Sequence, residues 1–244
     1  MIPVLVAHRG YMKNYPENTL SSIRAALEVG ACMVEFDVQM DASGRLWLLH
    51  DDNFQRTADT DACLFTQPDC AAISVHEPAR LGEVFNPEPV PELGRVLALL
   101  KSYPRVTAFV EIKDNSLQRW GLERVMDRLL ACLEPVTDQS VLIADNLDAL
   151  LYASQRADQR TGWVIHSYDA QLYQQAEKHC PDYLICNYQR ITGALWQGPW
   201  QWMLYDIADP ALAMDWAEKG AELIETCDIG AMLQHPALQQ RACR

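Results

Sequence analysis

At 244 residues, with 49% apolar and 22% charged side chains, the chain has the size and composition of a globular protein with a sizeable core, either one large domain or two small ones. A net charge of −13 argues against non-specific nucleic-acid binding and stable docking on anionic membranes, both of which need a basic face. It leaves room for a small anionic molecule gripped by local cations.

The run over 2–7 is short, apolar and ends abruptly in His8-Arg9-Gly10, as a buried parallel strand entering a functional loop does. Pro16-Glu17-Asn18-Thr19 starts a helix, with Asn18 or Thr19 as its cap, Leu20, Ile23, Ala26 and Leu27 at helical spacing, and Gly30 as its stop. A second strand follows over 32–38. Asp41 to Gly44 reads as a turn and 46–49 as a returning strand, which brings His50 back roughly opposite Glu35. Residues 51–90 lack sustained periodicity and read as an insertion too short to bury a core of its own. Regular alternation then resumes. Strands are predicted over 105–112, 140–144, 161–165, 183–187, 200–205 and 222–226, and helices over 91–102, 117–133, 147–155, 170–179 and 210–219. A short irregular helix precedes Trp200, and a helical tail runs from Met232. Without the hairpin's return strand this makes eight strands, which points to an α/β fold: a (β/α)8 TIM barrel. It would be a single domain over 1–244 with its insertion after the second strand and its functional residues at the C-terminal strand ends. A doubly wound open sheet is the alternative.

The eight cysteines, from Cys32 to Cys243, show no CxxC or metal-ligand spacing, and several fall in predicted strands or helices. The N-terminus lacks the basic region and apolar length of a secretion signal, and no run approaches transmembrane length. A reduced, cytoplasmic protein is the simplest reading; the sequence sets no oligomeric state.

Chemistry concentrates on two strands with the same anomaly. Glu35 and Asp37 sit two apart and share one face, while Val34, Phe36 and Val38 form the apolar other face. Two carboxylates fixed side by side repel unless a proton or a cation intervenes. Glu111 and Lys113 repeat the pattern. In a barrel the three carboxylates meet at the mouth, and an all-oxygen donor set favours a hard cation, Mg²⁺ or Ca²⁺, over zinc. A plain Glu111–Lys113 ion pair is the structural alternative. His8 and His50 both end strands, and a histidine pair can act as general base and general acid. His76, His166, His179 and His235 read as structural. Arg9 can fork onto a phosphate with Lys113 as a second positive charge, or pair with Glu17, or do both. Trp196, Trp200 and Trp202 read as core, and Tyr205, at a strand end, as a candidate substrate wall. No Walker-type loop, nucleotide fingerprint or serine-hydrolase elbow is present.

His8-Arg9-Gly10, Pro16-Glu17-Asn18-Thr19, Glu35-x-Asp37, His50-Asp51 and Glu111-Ile112-Lys113 together resemble, in order and spacing, the signature of the glycerophosphodiester phosphodiesterase family. The resemblance implies a TIM barrel with a small insertion after the second strand. It also implies hydrolysis of deacylated phospholipids to sn-glycerol 3-phosphate and an alcohol. Glu35, Asp37 and Glu111 would bind one divalent cation, His8 and His50 would be the acid–base pair, Arg9 and Lys113 would grip the phosphate, and Glu17 and Asn18 would support the site. The second half departs: Ile143-Ala144-Asp145-Asn146 stands where the family often has Ser-Phe, Tyr205 where it often has tryptophan, and Glu225-Thr226-Cys227-Asp228 only loosely matches a Thr-Asp ending. Rival readings keep the site and change the substrate to a lysophospholipid or a sphingomyelin-type lipid, or keep the barrel as a non-catalytic phosphodiester binder.

Overall fold

Register along the strands closes the sheet on itself. In a computed structural model that describes residues 1–239, β1 (Val4–Ala7) is followed by α1 (Leu20–Glu28), β2 (Met33–Met40) and the short return strand β3 (Leu46–Leu48). Then come α2 (Gln55–Ala58), β4 (Ser74–Val75), α3 (Pro78–Leu81), β5 (Glu88–Pro89) and α4 (Leu93–Leu100). The rest alternates: β6 (Thr107–Ile112), α5 (Asp114–Trp120), α6 (Leu122–Leu133), β7 (Ser140–Ala144), α7 (Leu147–Arg156), β8 (Arg160–Ile165), α8 (Ala170–His179), β9 (Tyr183–Asn187), β10 (Gln201–Tyr205), α9 (Pro210–Glu218), β11 (Leu223–Thr226) and α10 (Ile229–Gln234). Strands β1, β2 and β6 to β11 pair in parallel in chain order, and β11 returns to β1. This is the eight-stranded (β/α)8 barrel, not the open sheet. Two seams are thin: β1–β2, where only Val6↔Met33 and Ala7↔Val34 pair, and β10–β11, also with two pairs, against six between β2 and β6.

Alternation along each strand sorts the side chains into two cores. Val34, Phe36 and Val38 of β2 and Val110 and Ile112 of β6 face the helices. Val6, Phe109, Val141, Ile143, Val164, Ile185, Met203 and Leu223 fill the barrel interior. This packed floor leaves the polar inward positions nearest the C-terminal ends to form the mouth. Trp200 and Trp202 are buried in the outer layer, as expected, with Trp196 stacked on Tyr168 at 4.1 Å between ring centres.

Four expectations need correction. The helix over 117–133 is two helices, because Gly121 sits at φ +87, outside helical space, and separates α5 from α6. The hairpin register is Val38↔Leu48, which aligns His50 with Phe36 rather than Glu35, and the ladder ends before it at Leu48. The segment 51–90 does bury a cluster: Phe54, Leu64, Cys70, Ile73, Val75 and Val90 pack with Trp47 and Leu49, borrowed from the hairpin. The tail from Met232 is helical as expected, through Gln234 in α10 and again as a 3-10 turn over Pro236–Leu238; its last residues, with Cys243, lie outside the described residues. Among the described residues six cysteines are free, but Cys32 is disulfide-bonded, against the reduced reading. Among the described residues no helix is long and apolar enough to cross a membrane.

Candidate active site at the barrel mouth

The loop after β1 is shaped for close contact. Arg9 and Gly10 are both left-handed, at φ +51 and +79, and a side chain at Gly10 would meet Ser22 of α1 within 2.7 Å. The turn aims the Arg9 backbone N–H at Glu35 Oε2, 3.0 Å away, and folds its guanidinium back between Glu17 Oε1 at 2.8 Å and Asp37 Oδ2 at 3.0 Å. Asn18, also left-handed, clamps Asp37 twice: its Nδ2 donates to Oδ2 at 2.9 Å, and its Oδ1 accepts the Asp37 N–H at 3.1 Å. Thr19, not Asn18, caps α1, accepting the Ser22 N–H. From β6, Lys113 Nζ donates to Glu111 Oε1 at 2.7 Å and stands 3.4 Å from Asp37 Oδ1. Both sequence-level alternatives hold: Arg9 pairs with Glu17 and Lys113 with Glu111, while both cations line the mouth cavity of about 170 Å³.

Carboxylate oxygens of Glu35, Asp37 and Glu111 lie within 4.8 Å of one another, as the strand pattern predicts. A second group, His8, Glu35 and Glu225, meets the same limit. Glu225 was missed at sequence level, although Leu223 and Glu225 share an inward face on β11 just as Glu35 and Asp37 do on β2. Burial raises the Glu35 carboxyl well above the usual range, and Asp37 and Glu225 add to it. Burial does the same to Glu225, with Glu111 adding, and burial and then Asp37 raise Glu111 against the pull of Lys113. Burial works to raise Asp37 too, but Arg9 first and Lys113 second hold it below the usual range. The mouth is therefore short of positive charge. Glu35 Oε1 and Glu225 Oε1 are buried with no hydrogen-bond partner. Carboxylates grouped at this spacing, two of them with an unpartnered oxygen and no thiolate among them, fit a hard divalent cation.

The two histidines enter from different sides. His8 Nε2 stands 4.0 Å from Glu35 Oε2, and burial, with Arg9 adding, drives its imidazole down to about 3, so the ring is neutral near pH 7. His50 holds Asp51 Oδ1 through Nδ1 at 2.7 Å, and both imidazoles line the cavity. Gln39 steadies this segment by donating Nε2 to the His50 carbonyl at 3.0 Å.

Segment 51–90 braces the whole arrangement, which sequence reasoning did not anticipate. Arg56 Nε donates to Asp51 Oδ2 at 2.8 Å while its other nitrogens fork onto Glu17 at 2.6 and 2.7 Å. His50, Asp51, Arg56, Glu17 and Arg9 thus form one continuous polar chain. Buried Glu77 accepts the Glu17 N–H at 2.6 Å, and Arg80 ties Glu77 to the Met12 and Tyr15 carbonyls.

The far rim is looser. Tyr205 lines the cavity at the end of β10, and burial raises its hydroxyl to about 12. His166, expected to be structural, also lines the cavity, 3.5 Å from Asp145.

A profile of the glycerophosphoryl diester phosphodiesterase family matches residues 8–187. The glycerophosphodiester phosphodiesterase of Caldanaerobacter subterraneus subsp. tengcongensis is 34% identical over 125 residues, covering 50% of each chain. Human glycerophosphodiester phosphodiesterase 1 is 32% identical over 113 residues, covering 46% of this chain and 34% of that protein. The alignments span half the length of these curated relatives or less. A phosphodiesterase of Oleispira antarctica, solved with the product sn-glycerol-3-phosphate, superposes with a TM-score of 0.84 at 20% identity, covering 98% of both chains. A putative glycerophosphoryl diester phosphodiesterase of Silicibacter pomeroyi gives 0.84 at 18% identity, covering 96% of this chain and 92% of that one. At those identities the structures speak for the fold.

Proposed function

From the premise that the chain belongs to the glycerophosphoryl diester phosphodiesterase family, we propose that its barrel mouth hydrolyses glycerophosphodiesters to sn-glycerol 3-phosphate and an alcohol. The observation that carries this reading is the convergence of His8, His50, Arg9, Lys113 and Glu111 on one cavity, with Glu35 and Asp37 grouped with Glu111. The names of the relatives and the product in the Oleispira structure support it.

Arg9 and Lys113 grip the phosphate. Glu35, Asp37 and Glu111 hold Mg²⁺ or Ca²⁺, which when bound supplies charge neutralisation at the phosphate. His8, buried and neutral, takes the proton from the nucleophile, either water or the glycerol 2-hydroxyl. His50 returns a proton to the departing alkoxide, its ring held in place by the Asp51 carboxylate on Nδ1. The new P–O bond forms as the bond to the head-group alcohol breaks; after attack by the 2-hydroxyl, water opens the cyclic phosphate. Glu17 and Asn18 hold the loop, and Tyr205 walls the substrate space. The chain works as one barrel domain with 51–90 as its insertion, and its partner is a small molecule. A cytoplasmic location belongs to the same proposal, and the Cys32 disulfide is the feature that argues the other way; cell fractionation tests it.

The decisive experiment incubates the protein with glycerophosphocholine, glycerophosphoethanolamine and matching lysolipids plus Mg²⁺ or Ca²⁺, and reads glycerol 3-phosphate release. Turnover of the deacylated diesters is expected. Turnover of lysolipids alone, or of nothing, overturns the reading.

A further inference from the structure

Glu225 closes the carboxylate cluster from the last strand, and nothing in the proposed reaction uses it. It is 4% exposed, and its Oε1 has no hydrogen-bond partner. Glu35 Oε1, across the mouth, is orphaned in the same way. The other two acidic groups are already answered. Asp37 Oδ2 takes Asn18 and faces Arg9, Asp37 Oδ1 faces Lys113, and Glu111 Oε1 takes Lys113. Arg9 and Lys113 thus serve Asp37 and Glu111, while Glu35 and Glu225 have no lysine or arginine side chain of their own to balance a negative charge. One divalent cation offsets two such charges.

Distance points the same way. Ligand atoms of Glu225, Glu35 and His8 lie within 4.8 Å of one another. Two oxygens bound to one cation at about 2.4 Å are at most about 4.8 Å apart. A buried carboxylate oxygen with no donor in reach is costly in a protein interior, and a cation is the partner that this spacing accommodates.

We propose that Glu225 is a direct ligand of the divalent cation, reaching it beside Glu35, the carboxylate shared by the His8–Glu35–Glu225 and Glu35–Asp37–Glu111 groups, so that β11 joins β2 and β6 at the site. This rests on reading the mouth as a cation site. It sets this chain apart from a plain three-carboxylate design, and it gives the last strand a part in the chemistry.

Mn²⁺ titration of the full chain, read by electron paramagnetic resonance or calorimetry without substrate, tests it. The wild type is expected to bind one Mn²⁺, and E225Q to bind it at least roughly tenfold more weakly, since losing a ligand costs no less than losing an outer-shell partner. E225Q also removes a crowded like charge. The metal-free variant should therefore melt higher than the metal-free wild type, while the Mn²⁺-induced rise in Tm shrinks. A purely structural Glu225 would not give that pair of shifts. Should E225Q fold poorly, E225D serves, with an affinity expected between the two. Wild-type protein that binds no Mn²⁺ overturns the cation reading and this inference together. Wild-type binding that E225Q keeps within twofold, or, where E225Q does not fold, that E225D leaves unchanged, overturns this inference alone.

Discussion

Around the ends of β1, β2 and β6, almost every polar side chain is held by another. Arg9 sits between Glu17 and Asp37, Asn18 grips Asp37 at two points, and Arg56 and Glu77 reach in from the insertion to hold Glu17. Across the mouth, Asp145 faces a half-exposed His166 at 3.5 Å, Asn187 donates to exposed Asp206 at 2.7 Å, and Tyr205 stands at the cavity wall. The first half is preorganised, with each charge fixed before a substrate arrives, which is what transition-state stabilisation requires. The second half is free to change its side chains without disturbing that network. On the proposed reading, the chemistry belongs to the first side, joined by Glu225 from β11, and the choice of alcohol to the far rim.

Experiments can break this division, beginning with the largest effects. Excess EDTA should abolish turnover and added Mg²⁺ or Ca²⁺ restore it; full activity under chelation would leave the acidic half without its proposed purpose. His8→Ala and His50→Ala should each lower kcat by about 10²- to 10⁴-fold with the fold retained by circular dichroism. Near-normal rates in both would end the acid–base assignment.

Arg56→Ala cuts the polar chain between Asp51 and Glu17. We expect kcat to fall about tenfold or more with KM less affected, because a positioning group is lost rather than a substrate contact. A change confined to KM would show that the insertion touches substrate instead of bracing the site.

Acid stability gives a subtler test. The unfolded chain protonates His8 near 6.5, the folded chain only near 3. Between those values the unfolded state binds the extra proton. This group's contribution is therefore complete above 6.5 and is lost as pH falls toward 3, with a slope of up to about 1.4 kcal/mol per pH unit. Denaturant melts of wild type and His8→Gln across that window should diverge in slope; parallel curves would show that His8 is not held neutral. The smallest effect is expected at the far rim. Tyr205→Ala should shift preference among head groups by a few-fold while leaving the best kcat nearly unchanged. A large loss of kcat would erase the distinction between the halves.

What the sequence made legible follows the same line. Glu35, Asp37 and Glu111 stood out because strand period forces alternate residues to one face, and acids facing a barrel interior contradict simple burial. Glu225 obeys the same rule, but its strand lies outside the cluster of motifs, and the ending Glu225-Thr226-Cys227-Asp228 drew attention to Thr226 and Asp228 instead. Arg56 and Glu77 sit in a segment without periodicity, and their partner Glu17 lies 39 and 60 residues away, so only folding reveals them. His166 looked structural because a histidine that ends a strand shows its role only through which rim it reaches.

The seam between β1 and β2, with its two register pairs, is bridged just above by Arg9 on Glu35 and by Asn18 on Asp37. The groups proposed for catalysis are thus also the clasp of the hoop. Amide exchange along β1 should quicken when Asn18 is replaced, before any global loss of structure, because opening there needs only two backbone pairs and the clasp to yield. A cation drawn between Glu35 and its neighbours would fasten that clasp, so the barrel should breathe least when it is ready to react.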